Sequence, residues 1–258
     1  MKIDFNLVGS ATWVINVDKK FKIACDPALS PVNTKYVYKG IKTSRIKAPI
    51  HDEKTFENVR IWLLTHCHFD HLDKKGMAKI NENSVIISHK NCQKMLEKHK
   101  KKNVLYLDRG KIQRIEVDGY DIEIKAIPAH HAKNFLTETI MGGVNGYLIT
   151  ITDDKEEKNI YITSDTLYKQ DVADALTGTK IDVMIANVGS ARKSMLGGPF
   201  TMDISMLNRF LETIKPSLTI PVHVNDFEHF EMTRKDLNKI NDNFVVKFPR
   251  QGEPFHII

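Results

Sequence analysis

Apolar and polar residues alternate from the first positions onward, and residues 2 to 8, 11 to 17 and 21 to 25 each carry the period-two pattern of a half-buried strand. Asp18-Lys19-Lys20 supplies a short turn, so the chain opens as a meander. A less patterned stretch, residues 31 to 58, delays the next strand. Loops of that length inside compact domains are usually functional, which predicts a flap over a site, carrying Tyr36, Tyr38, Lys39, Arg45 and His51. Residues 59 to 64 then form a compact apolar run that stops at a cluster of polar residues.

Beyond it the pattern predicts a helix at 74 to 80, a strand at 85 to 87, a helix from residue 90, and strands at 104 to 107 and 112 to 117. Strands follow at 122 to 127, 146 to 152 and 159 to 163, the last two joined by the charged turn Asp153-Asp154-Lys155-Glu156-Glu157-Lys158. The remainder alternates: helix 169 to 176, strand 183 to 187, helix 202 to 214 with Thr201 as its N-cap, strand 218 to 222, helix 233 to 240 and strand 244 to 248. A group of strands followed by strand and helix alternation occurs twice. This predicts an α/β (α+β) chain folded as a single-domain, four-layer αββα sandwich spanning residues 1–258.

Length and composition narrow the class. A chain of 258 residues can bury one sizeable core. Its start lacks the apolar stretch of a signal peptide, and no apolar run approaches the roughly 20 residues that cross a bilayer. Cys25, Cys67 and Cys92 form no CxxC pair and no even disulfide framework. A soluble, cytoplasmic protein is the expectation. The net charge of +6 favours anionic partners in a general way. Its densest run, Lys98-His99-Lys100-Lys101-Lys102, reads as a solvated helix end rather than a nucleic-acid patch, because no aromatic residues interleave to stack on bases.

The chemistry sits in His66-Cys67-His68-Phe69-Asp70-His71, four potential metal ligands directly after the buried strand at 59 to 64. A polar loop whose histidines bond to backbone is the plain alternative. Several ligand types concentrated at one strand end fit a metal site better, and imidazoles with carboxylates suit zinc, manganese or iron. His66 and His68, two apart in an extended segment, point to the same side.

These residues resemble the HxHxDH motif of the metallo-β-lactamase superfamily. Further elements of that resemblance are Pro128-Ala129-His130-His131, Ser164-Asp165-Thr166, Pro221-Val222-His223 and the early Ala24-Cys25-Asp26-Pro27, so it covers residues 5 to 230. Gly142 to Gly146, Gly197-Gly198-Pro199-Phe200-Thr201-Met202-Asp203 and the Pro-Val-His ending look like the branch of ascorbate-6-phosphate lactonase and the N-acylphosphatidylethanolamine-hydrolysing phospholipases D.

The resemblance implies the four-layer metallo-β-lactamase sandwich and a binuclear hydrolase. It implies that His66, His68 and His131 hold one divalent ion, that Asp70, His71 and His223 hold the other, and that Asp165 bridges them, with Asp26 supporting from behind. Zinc or manganese is expected, with iron as the alternative metal. A metal-bound hydroxide would cleave a small anionic ester, lactone or phosphodiester, with Asp70 as a catalytic proton relay. The Pro-Ala-x-His spacing of the branch it resembles implies His131 as the ligand and leaves His130, which points the opposite way on an extended strand end, to hydrogen bonding or substrate contact. Of the remaining histidines, His229 is expected to stand nearest the site, while His51, His89 and His99 read as surface or structural.

The residues predicted to select substrate are the flap and the loop from 187 to 200, where Arg192 and Lys193 either grip a phosphate or carboxylate or belong to a plain solvated loop. Two other readings stand beside hydrolysis: iron-dependent oxygen or sulfur chemistry on the same ligand set, and nucleic-acid processing. A homo-oligomer is expected by resemblance to relatives.

Overall fold

The computed structural model describes residues 1–38, 41–191 and 199–258. Strands β1 (Ile3–Gly9), β2 (Thr12–Val17) and β3 (Phe21–Cys25) form the antiparallel meander that the alternation predicts. The flap region folds into a hairpin of its own, β4 (Lys35–Tyr38) and β5 (Ile41–Ser44). Next come β6 (Val59–Leu64), helix α1 (Lys74–Met77), β7 (Val85–Ser88), helix α2 (Gln93–Lys98) and β8 (Val104–Tyr106). From β3 to β8 the pairing is parallel.

The second half repeats this plan. Strands β9 (Ile112–Val117), β10 (Tyr120–Pro128), β11 (Asn145–Thr152) and β12 (Glu157–Ile162) pair antiparallel, with helix α3 (Phe135–Met141) between β10 and β11. Helix α4 (Gln170–Asp174), β13 (Val183–Asn187), helix α5 (Ile204–Ile214) and β14 (Leu218–Val222) follow, and β12, β13 and β14 are parallel. A final short strand, β15 (Phe255–His256), joins the edge of β1. Among the described residues one sheet has the order β15-β1-β2-β3-β6-β7-β8 and the other β14-β13-β12-β11-β10-β9.

Alternation along each strand separates the layers. In β6, Ile61 and Leu63 face the space between the sheets, where they join Phe5, Trp13, Ile23, Ile122, Ile149, Ile162 and Ile185. Trp62 and Leu64 face the opposite way, onto Met77, Ile80 and Leu96 beneath α1 and α2. In β13, Val183 and Ile185 face the central core, while Met184 and Ala186 pack beneath α4 and α5 with Leu207, Phe210 and Leu211. The four-layer αββα sandwich follows from strands that are apolar on both faces. No described helix is long and apolar enough to cross a membrane.

Several elements differ from the sequence pattern. The helix expected at 233 to 240 shrinks to a 3-10 turn at Asp236–Lys239: Thr233 and Asp236 pair as a helix start would, but the chain is already extended at Ile240, with ψ of 139°. The strand expected at 244 to 248 is reduced to one bridge between Val246 and Thr219. Asp203, not Thr201, caps α5 through the Met206 N–H, since the Thr201 hydroxyl already accepts from Ala191. The lysine run does end a helix: α2 closes at Lys98 and Lys100 turns into a positive φ of 53°.

Where the site will form, the two sheets are tied by polar contacts. The Tyr147 hydroxyl on β11 donates to the Leu64 carbonyl at the end of β6, 3.0 Å away, and Asn145 N–H donates to the Thr65 carbonyl at 3.2 Å. Tyr147 is fully buried, and the Leu64 carbonyl also accepts from the His89 N–H at 3.2 Å, so loss of the hydroxyl removes one of its two donors. Tyr147→Phe, which conserves the ring, is expected to lower unfolding free energy by about 0.5–1.5 kcal/mol in urea titration; an unchanged midpoint would mean that the His89 N–H alone satisfies the Leu64 carbonyl.

Candidate metal centre

Every candidate ligand stands just past the carboxyl end of a strand. His66, His68, Asp70 and His71 follow β6, His131 follows β10, Asp165 follows β12 and His223 follows β14. These ends lie side by side because the strands run in one direction, the placement at which open α/β sheets bind ligands. The backbone bends sharply to get there. Asp26, Ser164 and His223 have φ of 42°, 56° and 65°, a left-handed conformation that costs a non-glycine residue roughly 1–2 kcal/mol. Gly189 is required by the same crowding, since an added Cβ would meet the His223 carbonyl oxygen at 2.9 Å.

His66 Nε2, His68 Nδ1 and His131 Nε2 converge, with 3.0 Å between the first two and 3.1 Å between the last two. The outer nitrogen of each ring meets an acceptor. His66 Nδ1 is 3.0 Å from the Thr65 hydroxyl, whose own proton goes to Asp26 at 2.6 Å. His68 Nε2 is 2.9 Å from the Met141 carbonyl and 3.0 Å from the Tyr38 hydroxyl, and His131 Nδ1 is 2.7 Å from the Phe200 carbonyl. With the outer nitrogens donating, the three inner nitrogens present lone pairs to one another. No proton is left to join them, and a cation between them is the arrangement that relieves the repulsion.

A second cluster of Asp70, His71, Asp165 and His223 adjoins the first, and within each cluster the donor atoms lie within 4.8 Å of one another. Asp26 accepts from His71 Nδ1 at 2.6 Å and from the Thr65 N–H at 2.8 Å, so it orients His71 from behind. Asp165 faces both clusters. Its Oδ2 is 3.8 Å from His131 Nε2, while its Oδ1 is 3.2 Å from His71 Nε2 and 3.7 Å from His223 Nδ1 and accepts from Asn187 at 2.9 Å. His71 Nε2 and both nitrogens of His223 are buried without a hydrogen-bond partner. Orphaned polar atoms aimed into one space fit a metal ion.

Electrostatics follow from burial. Burial holds His66 well below the usual histidine range, helped by the charge of neighbouring His71. It lowers His68 to about 3 and lowers His131 as well. For His71, burial works downward but Asp165 and Asp26 overcome it and raise the imidazole. Asp70 and Asp165 remain ionised despite burial, Asp70 through His223 and His229, Asp165 through His223 and His71. Burial also pushes the Tyr38 phenol up to about 12, so it keeps its proton.

The other expected residues take different places. His130 turns outward, between Glu138 at 2.9 Å and Asp171 at 2.7 Å, away from the cluster that contains His131. Arg45 is fully buried and donates to the carbonyls of Ala28 and Lys47, an anchor of the flap rather than a substrate grip. His51 packs on Phe56. His89 accepts from the Asn91 N–H. Lys39, Arg192, Lys193, Gly197 and Gly198 lie outside the described residues. Residues not singled out from sequence are Asn187, Thr43 and the carbonyls of Met141 and Phe200. Only Asn187, at the end of a buried strand, carried a signal.

Paired, buried donor clusters at the seam of two sheets mark the chain as a metal-dependent hydrolase of the metallo-β-lactamase fold. The chain belongs to the beta-lactamase superfamily: the family model described as a beta-lactamase superfamily domain matches residues 22–224. Among curated proteins it is similar to a UPF0173 metal-dependent hydrolase of Pyrococcus abyssi, 26% identical over 78% of this chain and 83% of the relative. Among solved structures it resembles a possible metal-dependent hydrolase from Veillonella parvula, with TM-score 0.82 and 22% identity over 99% of both chains. An isothiocyanate hydrolase from Delia radicum gut bacteria has TM-score 0.79 and 22% identity over 98% of both chains. The two structural likenesses establish the fold.

The pKa directions predict how the metal-free protein responds to acid. Unfolded histidine takes up a proton below about pH 6.5, whereas folded His68 stays neutral down to about 3. The stability tied to neutral His68 is therefore lost as pH falls below 6.5, by roughly 2 kcal/mol at pH 5. His66 and His131 act in the same direction, and His71, raised rather than lowered, gives a smaller opposite term over this interval. Urea denaturation of chelator-treated protein should show lower stability at pH 5 than at pH 7. Equal or greater stability at pH 5 would contradict neutral, buried imidazoles.

Proposed function

We propose that this hydrolase holds one divalent ion in His66, His68 and His131 and a second in Asp70, His71 and His223, with Asp165 between them. We propose further that it cleaves a small, negatively charged ester, lactone or phosphodiester. The observation that carries the reading is the set of facing lone pairs on His66, His68 and His131, whose outer nitrogens are all committed elsewhere. Nitrogen and carboxylate donors suit zinc or manganese. When bound, such ions supply Lewis acidity toward a carbonyl or phosphoryl oxygen and lower the pKa of water toward neutrality.

The chain's own residues do the rest. Thr65, Met141 and Phe200 hold the imidazole tautomers, and Asn187 holds one oxygen of Asp165. Asp70 lines the pocket, and its carboxylate is the group we assign to relay a proton. Tyr38, Phe69, Met141, Ala191 and Phe200 wall that pocket, which has a volume of about 30 Å³. Apolar walls of this kind strengthen electrostatic interactions at the donor clusters by lowering the local dielectric. The net charge of +6 supports an anionic substrate by raising its local concentration.

Elemental analysis of protein purified without added metal, alongside His68→Ala and Asp165→Ala, tests this directly. Close to two zinc or manganese ions per chain are expected in the parent and fewer in each variant. With the best substrate from a panel of esters, lactones and phosphodiesters, kcat/KM should fall by more than about 100-fold, the range that changes behind the ligands already reach. Iron in the parent, with oxygen uptake on a thiol substrate, would replace hydrolysis by oxidation. A parent chain that takes up no metal after reconstitution would sink the proposal.

A further inference from the structure

Hairpin β4–β5 pairs only with itself among the described strands, yet it reaches both donor clusters, one directly at His68 and the other through His229. Its foot is fastened to the loop that follows β14. Arg45 is buried and forms an isolated bridge with Phe227, and the Ile46 N–H donates to the Asp226 carbonyl at 2.8 Å. Above the foot, Tyr36 stacks on Phe69 at 4.4 Å and 15°, and Phe69 stands between His68 and Asp70 in the chain. Each strand of the hairpin then contributes one hydroxyl.

On β4, Tyr38 places its hydroxyl 3.0 Å from His68 Nε2 and 3.2 Å from the Met141 carbonyl. The phenol donates to the carbonyl and accepts from the His68 Nε2–H, which keeps the His68 Nδ1 lone pair turned toward His66 and His131. On β5, the buried Thr43 hydroxyl is 3.0 Å from His229 Nδ1, and His229 Nε2 is 3.2 Å from Asp70 Oδ2. With Nε2–H donating to the carboxylate, Nδ1 accepts the Thr43 proton, and the chain Thr43–His229–Asp70 fixes which way the carboxylate faces.

We propose that Tyr38 and Thr43 are positioning residues, one for each donor cluster: Tyr38 orients His68, and Thr43 orients Asp70 through His229. The flap is thereby a structural part of the metal centre. The inference rests on the binuclear reading above. Groups behind metal ligands that set tautomer and orientation typically change metal affinity 10–100-fold when removed.

The test is titration of the metal-stripped full chain with cobalt(II), followed by visible absorption. The chains compared are the parent, Tyr38→Phe, Thr43→Val, Thr43→Ser and, as a hairpin control, the exposed Lys42→Ala. Far-UV circular dichroism confirms folding, and Thr43→Ala provides a second deletion of the hydroxyl if Thr43→Val does not fold. Two uptake steps are expected in the parent and in Lys42→Ala. Thr43→Val should weaken one step by 10–100-fold with altered absorption bands, Thr43→Ser should restore it, and Tyr38→Phe should weaken the other step. A packing role would give the opposite order, with valine tolerated as well as serine. Uptake in Thr43→Val and Tyr38→Phe equal to the parent's, or loss of the same single step in both, overturns the inference alone. A parent chain that binds no cobalt overturns the binuclear reading, and this inference with it.

Discussion

Three imidazoles with their lone pairs facing one another at about 3 Å are unfavourable in water and worse in a dry seam, where repulsion is less screened. They persist because each ring is held from its far side by an acceptor that the fold cannot easily withdraw. Two of these acceptors are backbone carbonyls, at Met141 and Phe200, and the third is a threonine hydroxyl whose own proton is committed to Asp26. Asp26 in turn grips His71, so a single carboxylate fixes one ring in each cluster.

The surrounding architecture is organised to keep those acceptors still. Asp26 leaves β3 with a positive φ and is followed by Pro27, against which α1 packs so closely that a Cβ at Gly76 would sit 1.6 Å from the Pro27 carbonyl oxygen. Asp73 caps α1 at the Gly76 N–H and also accepts from the backbone and hydroxyl of Ser30. Cap, glycine and bend form one rigid support for the His71 partner. The opposite sheet supplies the remaining constraint through Tyr147 and Asn145, which bond the end of β6. Strain at Asp26, Ser164 and His223 is tolerated because apolar layers on both sides of each sheet leave the strand ends little freedom.

Much of this was legible in the residues. A strand buried on both faces is a continuous apolar run, and 59 to 64, 183 to 187 and 218 to 222 are such runs, so the points at which polar residues take over could be located closely. His66, His68, Asp70 and His71 were visible by type and by position after such a run, whereas His131, Asp165 and His223 were picked out by the resemblance to the metallo-β-lactamase superfamily, with strand-end placement supporting the last two. Their fastening was not visible. A carbonyl acceptor has no residue-type signature, and Met141 and Phe200 read as ordinary apolar positions. Helix α3 escaped notice because Phe135 and Leu136 are 85% and 71% exposed, leaving no buried stripe at helical spacing. Hairpin β4–β5 was read as unpatterned for a related reason: β4 is at most half-buried, the residue that β5 buries is the polar Thr43, and the hairpin gains its place through the loop after β14 rather than through a sheet.

Folds of this kind separate a shared reaction centre at the strand ends from variable loops that choose the substrate. Here the division is incomplete. Tyr38 walls the pocket and also bonds His68; His229 walls the pocket and also bonds Asp70. A residue that does both cannot drift freely toward a new substrate, because any change in its reach alters the tautomer or orientation of a group in the donor clusters. Ala191, past β13, lines the same pocket with a methyl group that bonds neither cluster, whereas Phe69 lines it and also stacks on Tyr36 of the hairpin. Pocket shape is therefore freer to change at Ala191 than at Tyr38 or His229, and among the described residues the hairpin is coupled to the chemistry of the centre through two hydrogen-bonded side chains, Tyr38 and Thr43.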